Sequence, residues 1–258
     1  MIEAGYVLAG GEARRFHGDK LLALVDGEAS IARVVDALRR AGAREVYAAT
    51  VSEERCRIYT AVAGFDGCIY DPPIPCRGPG AALAAVLRDA AQRGYRTVAV
   101  APGDMPWLTG EALWRLASMP PAPGWAAAPL HAGGFIESLL QVYRQPYPQG
   151  LVDLCRLRGG LRASDPLRLA PGGLVLVGSR LLSPWATVFA HINTREALRT
   201  RAAKNPLGHK VAQLPGPLLR LDDPCRSLAA EAHVYRLLGV RQLLRQALED
   251  LERLCSSG

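Results

Sequence analysis

Lysine and asparagine are nearly missing from this chain of 258 residues. Of its 31 basic residues only Lys20, Lys204 and Lys210 are lysine, and Asn193 and Asn205 are its only asparagines. Scarce asparagine fits either a thermophilic source or biased codon usage. No apolar run approaches the roughly 18 residues that would span a bilayer, and the first residues lack the charged, apolar and small-residue order of a signal peptide. A cytoplasmic protein is therefore expected. The six cysteines, Cys56, Cys68, Cys76, Cys155, Cys225 and Cys255, form no C-x-x-C pair, which argues against a zinc site or a redox motif. In an ordinary cytosol they would be reduced and mostly buried; intracellular disulfides are the alternative for a hyperthermophile. The net charge of +7 suits nucleic acid, an anionic membrane or phosphorylated small molecules, and the lack of a dense Lys/Arg tract interleaved with aromatics argues against the first. Internal repeats and low-complexity tracts are also lacking.

With 49% hydrophobic and 21% charged residues, the composition suits one large domain or a domain with an appendage. From residue 2 to about 118, short apolar runs alternate with amphipathic stretches. Strands are expected at residues 4–9, 46–51, 68–70 and 97–101, and helices at 30–41, 52–63 and 81–93. The first of these helices carries Ile31, Val34, Val35 and Leu38 on one face. Such βαβ alternation implies a Rossmann-like three-layer α/β sandwich, with helices on both faces of a mostly parallel sheet.

The rhythm then changes. Residues 125–130, the turn 131–134 and residues 135–143 read as a β-hairpin supplying antiparallel edge strands to a mixed sheet. Residues 174–177 and 188–192 read as two more strands, and Thr194 as the cap of a helix over 195–201. Residues 205–224 hold four prolines without a clear period and read as a linker. A helix over 238–254 follows, with Leu244, Leu248, Leu251 and Cys255 on one stripe that packs on the main domain or on another copy of the chain. The expected division is a domain over 1–204 and a linker with a C-terminal helical extension over 205–258.

In a doubly wound sheet, ligands bind beyond the carboxyl ends of the strands. There the segment Leu8-Ala9-Gly10-Gly11 leaves backbone amides uncovered, and Arg14, Arg15 and Lys20 add positive charge, which suits bound polyphosphate. Two better-known phosphate loops are excluded: G-x-G-x-x-G is absent, and Gly18-Asp19-Lys20-Leu21 lacks the Ser or Thr of a P-loop. A lysine in a chain that otherwise uses arginine marks position 20, where a compact ammonium fits a crowded triphosphate better than a planar guanidinium. Asp104 follows the most apolar strand and is placed at the same sheet edge to hold a hard cation through oxygen. Asp71, also just past a strand, reads equally as ligand or turn former. His17 reads as a solvent-facing loop residue.

Leu8-Ala9-Gly10-Gly11 followed by Arg15, Asp19 and Lys20 resembles the L-A-G-G-x-x-x-R-x-x-x-D-K signature of the nucleotidyltransferases typified by the molybdenum cofactor guanylyltransferases. Three further segments match that family in order: Asp71 with Gly78-Pro79, the Asp104-Met105-Pro106 acid, and Ile192-Asn193-Thr194. Departures are His191, where the family has asparagine, Ala81-Ala82 after the Gly-Pro, and Thr50 at a strand end. The resemblance implies a nucleotidyltransferase-type fold and transfer of GMP from GTP to molybdopterin. It implies that Leu8, Ala9, Gly10, Gly11, Lys20 and Asp71 hold the nucleotide and that Asp104 binds Mg²⁺. Lys20, Arg15 and Asp104 would act on the phosphates, and Asn193 with Gly78 would meet the pterin. Other bases or acceptors (CTP, cobinamide phosphate, a sugar phosphate), non-catalytic nucleotide binding, and a homo-oligomer formed through the C-terminal helix are alternatives.

Overall fold

A computed structural model describes residues 1–10, 16, 18–70 and 76–255. The elements follow in chain order: β1 (Ala4–Leu8), β2 (Leu24–Val25), β3 (Glu28–Ala29), α1 (Ser30–Arg40), β4 (Glu45–Thr50), α2 (Glu53–Ala63), β5 (Gly67–Tyr70), α3 (Gly80–Gln92), β6 (Thr97–Pro102) and α4 (Gly110–Ala117). After them come β7 (Trp125–Leu130), β8 (Gln141–Arg144), α5 (Leu151–Arg158), α6 (Asp165–Arg168), β9 (Gly173–Gly178), α7 (Ser179–Leu182), α8 (Arg195–Thr200), β10 (Val211–Pro215), α9 (Pro224–Leu238) and α10 (Arg241–Cys255).

Eight strands form one sheet in the order β10-β9-β7-β8-β6-β1-β4-β5. β1 lies between β4 and β6 and is parallel to both, with Leu8 opposite Ala49 on one side and Pro102 on the other. The chain thus moves outward from β1 in both directions, and the resulting crevice opens at the carboxyl ends of β1 and β6. Because helices cover both faces, β6 is buried along its whole length, and after Thr97 its sequence is apolar without alternation. Ala4 and Tyr6 point into a core shared with α3, α9 and α10, whereas Val7 and Ala9 point into a second core under α1 and α4. The apolar face expected for α1 is realised, with Ile31, Val34, Val35 and Leu38 all buried.

The second half departs from the sequence expectations in four places. β7 and β8 do pair antiparallel, but they lie inside the sheet, because β8 also pairs with β6 and β7 with β9. Only an isolated bridge from Ile136 to Leu130 continues the hairpin toward the turn. The apolar run 188–192 contains no strand: a 3-10 turn spans Ala186–Phe189, and the run is apolar because Val188, Phe189 and Ile192 are buried. The span read as a linker contributes β10, which pairs antiparallel with β9 at the sheet edge. It also ends in α9, whose Asp223 cap accepts from the Arg226 amide and whose first residue is Pro224.

α10 folds onto the chain's own core: of the expected stripe, Leu244, Leu251 and Cys255 pack against it and Leu248 does not. Leu243, Ala247 and Asp250 are fully buried, while Leu248 is 42% exposed. An acid is buried here because arginines meet it. Asp250 accepts from Arg168 at 2.8 Å and from Arg162 at 2.7 Å, and Arg158 lies 3.2 Å away. Arg168, itself fully buried, also donates to Glu231 of α9 at 2.6 Å. Buried charges are tolerated only when paired in this way. The cysteines are not reduced: Cys56–Cys68, Cys76–Cys155 and Cys225–Cys255 form disulfides, the last joining the start of α9 to the end of α10.

Candidate active site

Between β1 and Lys20 the described residues are Ala9, Gly10, Phe16, Gly18 and Asp19. Gly11, Arg14, Arg15, His17 and Asp71 lie outside the described residues. Of the remaining loop, Leu8 and Gly10 line a cavity at the crevice. Ala9 does not; it is buried, and its amide donates to Ala49.

Lys20 opens a 3-10 turn over Lys20–Leu22 that is capped by Asp19, whose Oδ1 accepts from the Leu21 amide at 2.9 Å. The other Asp19 oxygen accepts from the Tyr59 hydroxyl of α2 at 2.6 Å. Burial, and then the adjacent Asp19 carboxylate, raise the Tyr59 phenol well above its ordinary value, so it remains a donor. Asp19 therefore acts as a clamp that aims its neighbour. From this turn the Lys20 amine donates to Asp104 Oδ2 at 2.5 Å and to Asn193 Oδ1 at 2.9 Å.

Asp104 reaches this point because β6 ends beside β1. The Gly103 amide donates to Leu8, and the Ser30 hydroxyl donates to the Gly103 carbonyl. The segment carrying Asn193 is held by the Ile192 amide, which donates to the Asp104 carbonyl. Lys20, Asp104 and Asn193, all expected from the sequence, thus meet at one place.

Sequence reasoning missed what stands behind Asp104. His191 donates through Nδ1 to Asp104 Oδ1 at 2.9 Å and through Nε2 to Glu137 Oε2 at 3.1 Å. Burial would lower the His191 pKa, but bonding to two carboxylates raises it to about 10, and the ring carries its proton at neutral pH. Burial would likewise raise Asp104, yet the His191 ring and the Lys20 amine hold it down at about 2. Glu137 is held at about 2 despite its burial, by His131 and His191. The result is an alternating row of ammonium, carboxylate, imidazolium and carboxylate. A histidine at position 191 and an acid at 137 carried the only signals of it, and 54 residues separate them.

Two cavities meet at this row. Leu8, Gly10, Pro79 and Ala82 line one of them, while His191, Asn193 and Glu137 line the other; Lys20, Asp104 and Leu139 belong to both. Gly78 is not brought to Asn193 but lines a separate hollow. There it has φ +102°, and a Cβ would stand 2.5 Å from the Leu161 carbonyl, so only glycine fits. Thr50, at the end of β4, is buried with its hydroxyl unpartnered. Among the described residues no group of three or more His, Cys, Asp or Glu side chains converges to cage a metal. The Asp104 carboxylate, which lines both cavities, is an oxygen donor of the kind Mg²⁺ takes, one or two carboxylates being its common protein share with phosphate oxygens and water completing the shell.

A switch-point crevice with an amine and a carboxylate at its mouth marks an α/β protein of the doubly wound, ligand-binding class. Residues 5–205 match the MobA-like NTP transferase domain, and the chain belongs to that family. It is 37% identical over 144 residues to a probable molybdenum cofactor guanylyltransferase from Opitutus terrae, a match covering 54% of this chain and 65% of that protein. The corresponding protein of Pyrococcus horikoshii is 25% identical over 193 residues, covering 74% of this chain and 95% of the relative. Among solved structures the fold is similar to molybdopterin-guanine dinucleotide biosynthesis protein A from Archaeoglobus fulgidus. That similarity has a TM-score of 0.60 at 22% identity and covers 77% of this chain and 96% of that one. No described helix is long and apolar enough to cross a membrane.

Proposed function

We propose that the protein transfers GMP from GTP to the terminal phosphate of molybdopterin and releases pyrophosphate. The observation that carries this reading is the Lys20–Asp104 contact at the seam of two cavities, so that donor and acceptor meet beside one amine and one carboxylate. An acceptor phosphate oxygen attacks the α-phosphorus, the bond from that phosphorus to the bridging oxygen breaks, and the electron pair leaves with pyrophosphate. A phosphate monoester has a second pKa near ~6, so the nucleophile is already ionised at neutral pH and no general base is required.

Relief of charge repulsion is what this reaction demands. Leu8 and Gly10 shape the nucleotide side, and Lys20 leaves Asp104 to neutralise phosphate oxygens. Asp104 would hold Mg²⁺, which supplies Lewis-acid charge neutralisation on the phosphates. Asn193 orients Lys20 and faces the acceptor cavity. His191 and Glu137 keep the Asp104 carboxylate ionised and in place.

The test is incubation with α-labelled GTP, Mg²⁺ and molybdopterin. Labelled dinucleotide and pyrophosphate should form in equal amounts, with CTP, ATP and UTP poor substitutes. Failure of label to reach the pterin would overturn the reading.

A further inference from the structure

The acceptor cavity is closed in part by a segment beyond residue 205, where the family match ends. Its volume is about 700 Å³, within the range of small-molecule sites, and two of its lining residues, Gln242 and Arg245, come from α10. The helix is seated there by specific contacts. Gln242 accepts through Oε1 from the Ile136 amide at 3.0 Å, and its own amide donates to the Gly134 carbonyl at 3.1 Å. Gly134 has φ +80°, and a Cβ on it would stand 2.0 Å from the Gly239 carbonyl at the turn between α9 and α10. The turn 131–134 and the start of α10 are therefore fitted to one another, and the next residue past Ile136 is Glu137 of the charge row.

Arg245 lies one helical turn further along the same cavity. Its only ion pair among the described residues is an exposed i,i+4 contact to Glu249 at 3.6 Å. Exposed pairs of that kind contribute little, so an anionic ligand competes for the guanidinium easily. Lys204, also exposed, contributes a second cation to the wall.

We propose that α10 is an acceptor-recognition wall, and that Arg245 takes an anionic group of the acceptor other than the phosphate that attacks. This rests on the transferase reading above and adds to it a substrate class: an acceptor anionic at two places, one held at Lys20 and the other at Arg245. A guanidinium suits the second position because it offers several donors in a fixed plane.

Steady-state kinetics of the full chain with GTP, Mg²⁺ and molybdopterin decide it. Arg245→Ala should raise KM for molybdopterin about tenfold, with kcat and KM for GTP held within about twofold. Arg245→Lys should recover part of the loss, and thermal unfolding should match the wild type, because this side chain is exposed. An unchanged molybdopterin KM in Arg245→Ala, with an active wild type, overturns the role of α10 alone. A loss confined to kcat overturns it as well. A wild type that makes no dinucleotide overturns the transferase reading, and this inference falls with it.

Discussion

Lys20 and Asn193 stand 173 positions apart in the chain, yet the amine of one donates to the amide oxygen of the other at 2.9 Å. The same amine meets Asp104 at 2.5 Å, so one side chain joins three segments. Lys20→Ala should lower kcat about a hundredfold by removing a preorganised charge. Unfolding should change little, since Asp104 keeps its bond to His191. Lys20→Arg should restore only part of the rate. Single-turnover measurements of the transfer step check both variants.

Tyr59 tests whether the clamp on Asp19 matters. Tyr59→Phe removes one hydrogen bond to a carboxylate, which should destabilise the fold by about 1–3 kcal/mol. Its effect on kcat should be smaller than that of Lys20→Ala, because Asp19 retains the Leu21 amide. Denaturant titration and kinetics on the same preparation separate the two effects.

The buried charges under α10 predict an acid limit to stability. Burial would raise Asp250, but Arg168, Arg158 and Arg162 lower its pKa below the ordinary value. A depressed carboxylate stabilises the fold fully above the unfolded-chain pKa of about 3.9, and that contribution is lost as pH falls below it. Denaturation midpoints should therefore be steady from about pH 5 upward and fall steeply below about pH 4. Asp250→Asn should destabilise by roughly 3–5 kcal/mol at neutral pH, by leaving arginines unpaired, and should make the acid limb shallower.

Reduction of Cys225–Cys255 should loosen the hairpin of α9 and α10. The bond closes a loop with a sequence separation of 30, for which chain entropy gives roughly 3–4 kcal/mol. Hydrogen exchange after reduction should rise first in α10. Equal protection in both redox states would contradict this.

Local order in the first half was legible because its periodicities are short and its strands are buried on both faces. β1, α1, α3 and β6 follow from apolar spacing, Asp104 from its place just after a strand, and Lys20 from being a lysine in a chain that otherwise uses arginine. The second half was less legible for identifiable reasons. Val188, Phe189 and Ile192 are apolar because they are buried, and burial does not distinguish a strand from a 3-10 turn. The start of α9 was marked by Asp223-Pro224, a capping signal hidden among other prolines. In α10, hydrophobic spacing pointed to Leu248 and away from Asp250, because no periodicity anticipates an acid buried against three arginines.

The amino-acid order alone determined the alternation of buried strands and amphipathic helices and the acid that follows the strand ending at Pro102. Each depends on neighbours within a few positions, where backbone sterics and side-chain period act directly. Tertiary structure alone decided that Lys20, Asp104 and Asn193 converge, that His191 bridges Asp104 to Glu137, that six cysteines pair, and that Arg245 lines the same cavity as His191 and Asn193. Those depend on which strands lie side by side and where distant loops end, and contacts over such separations form only when the whole sheet closes its register.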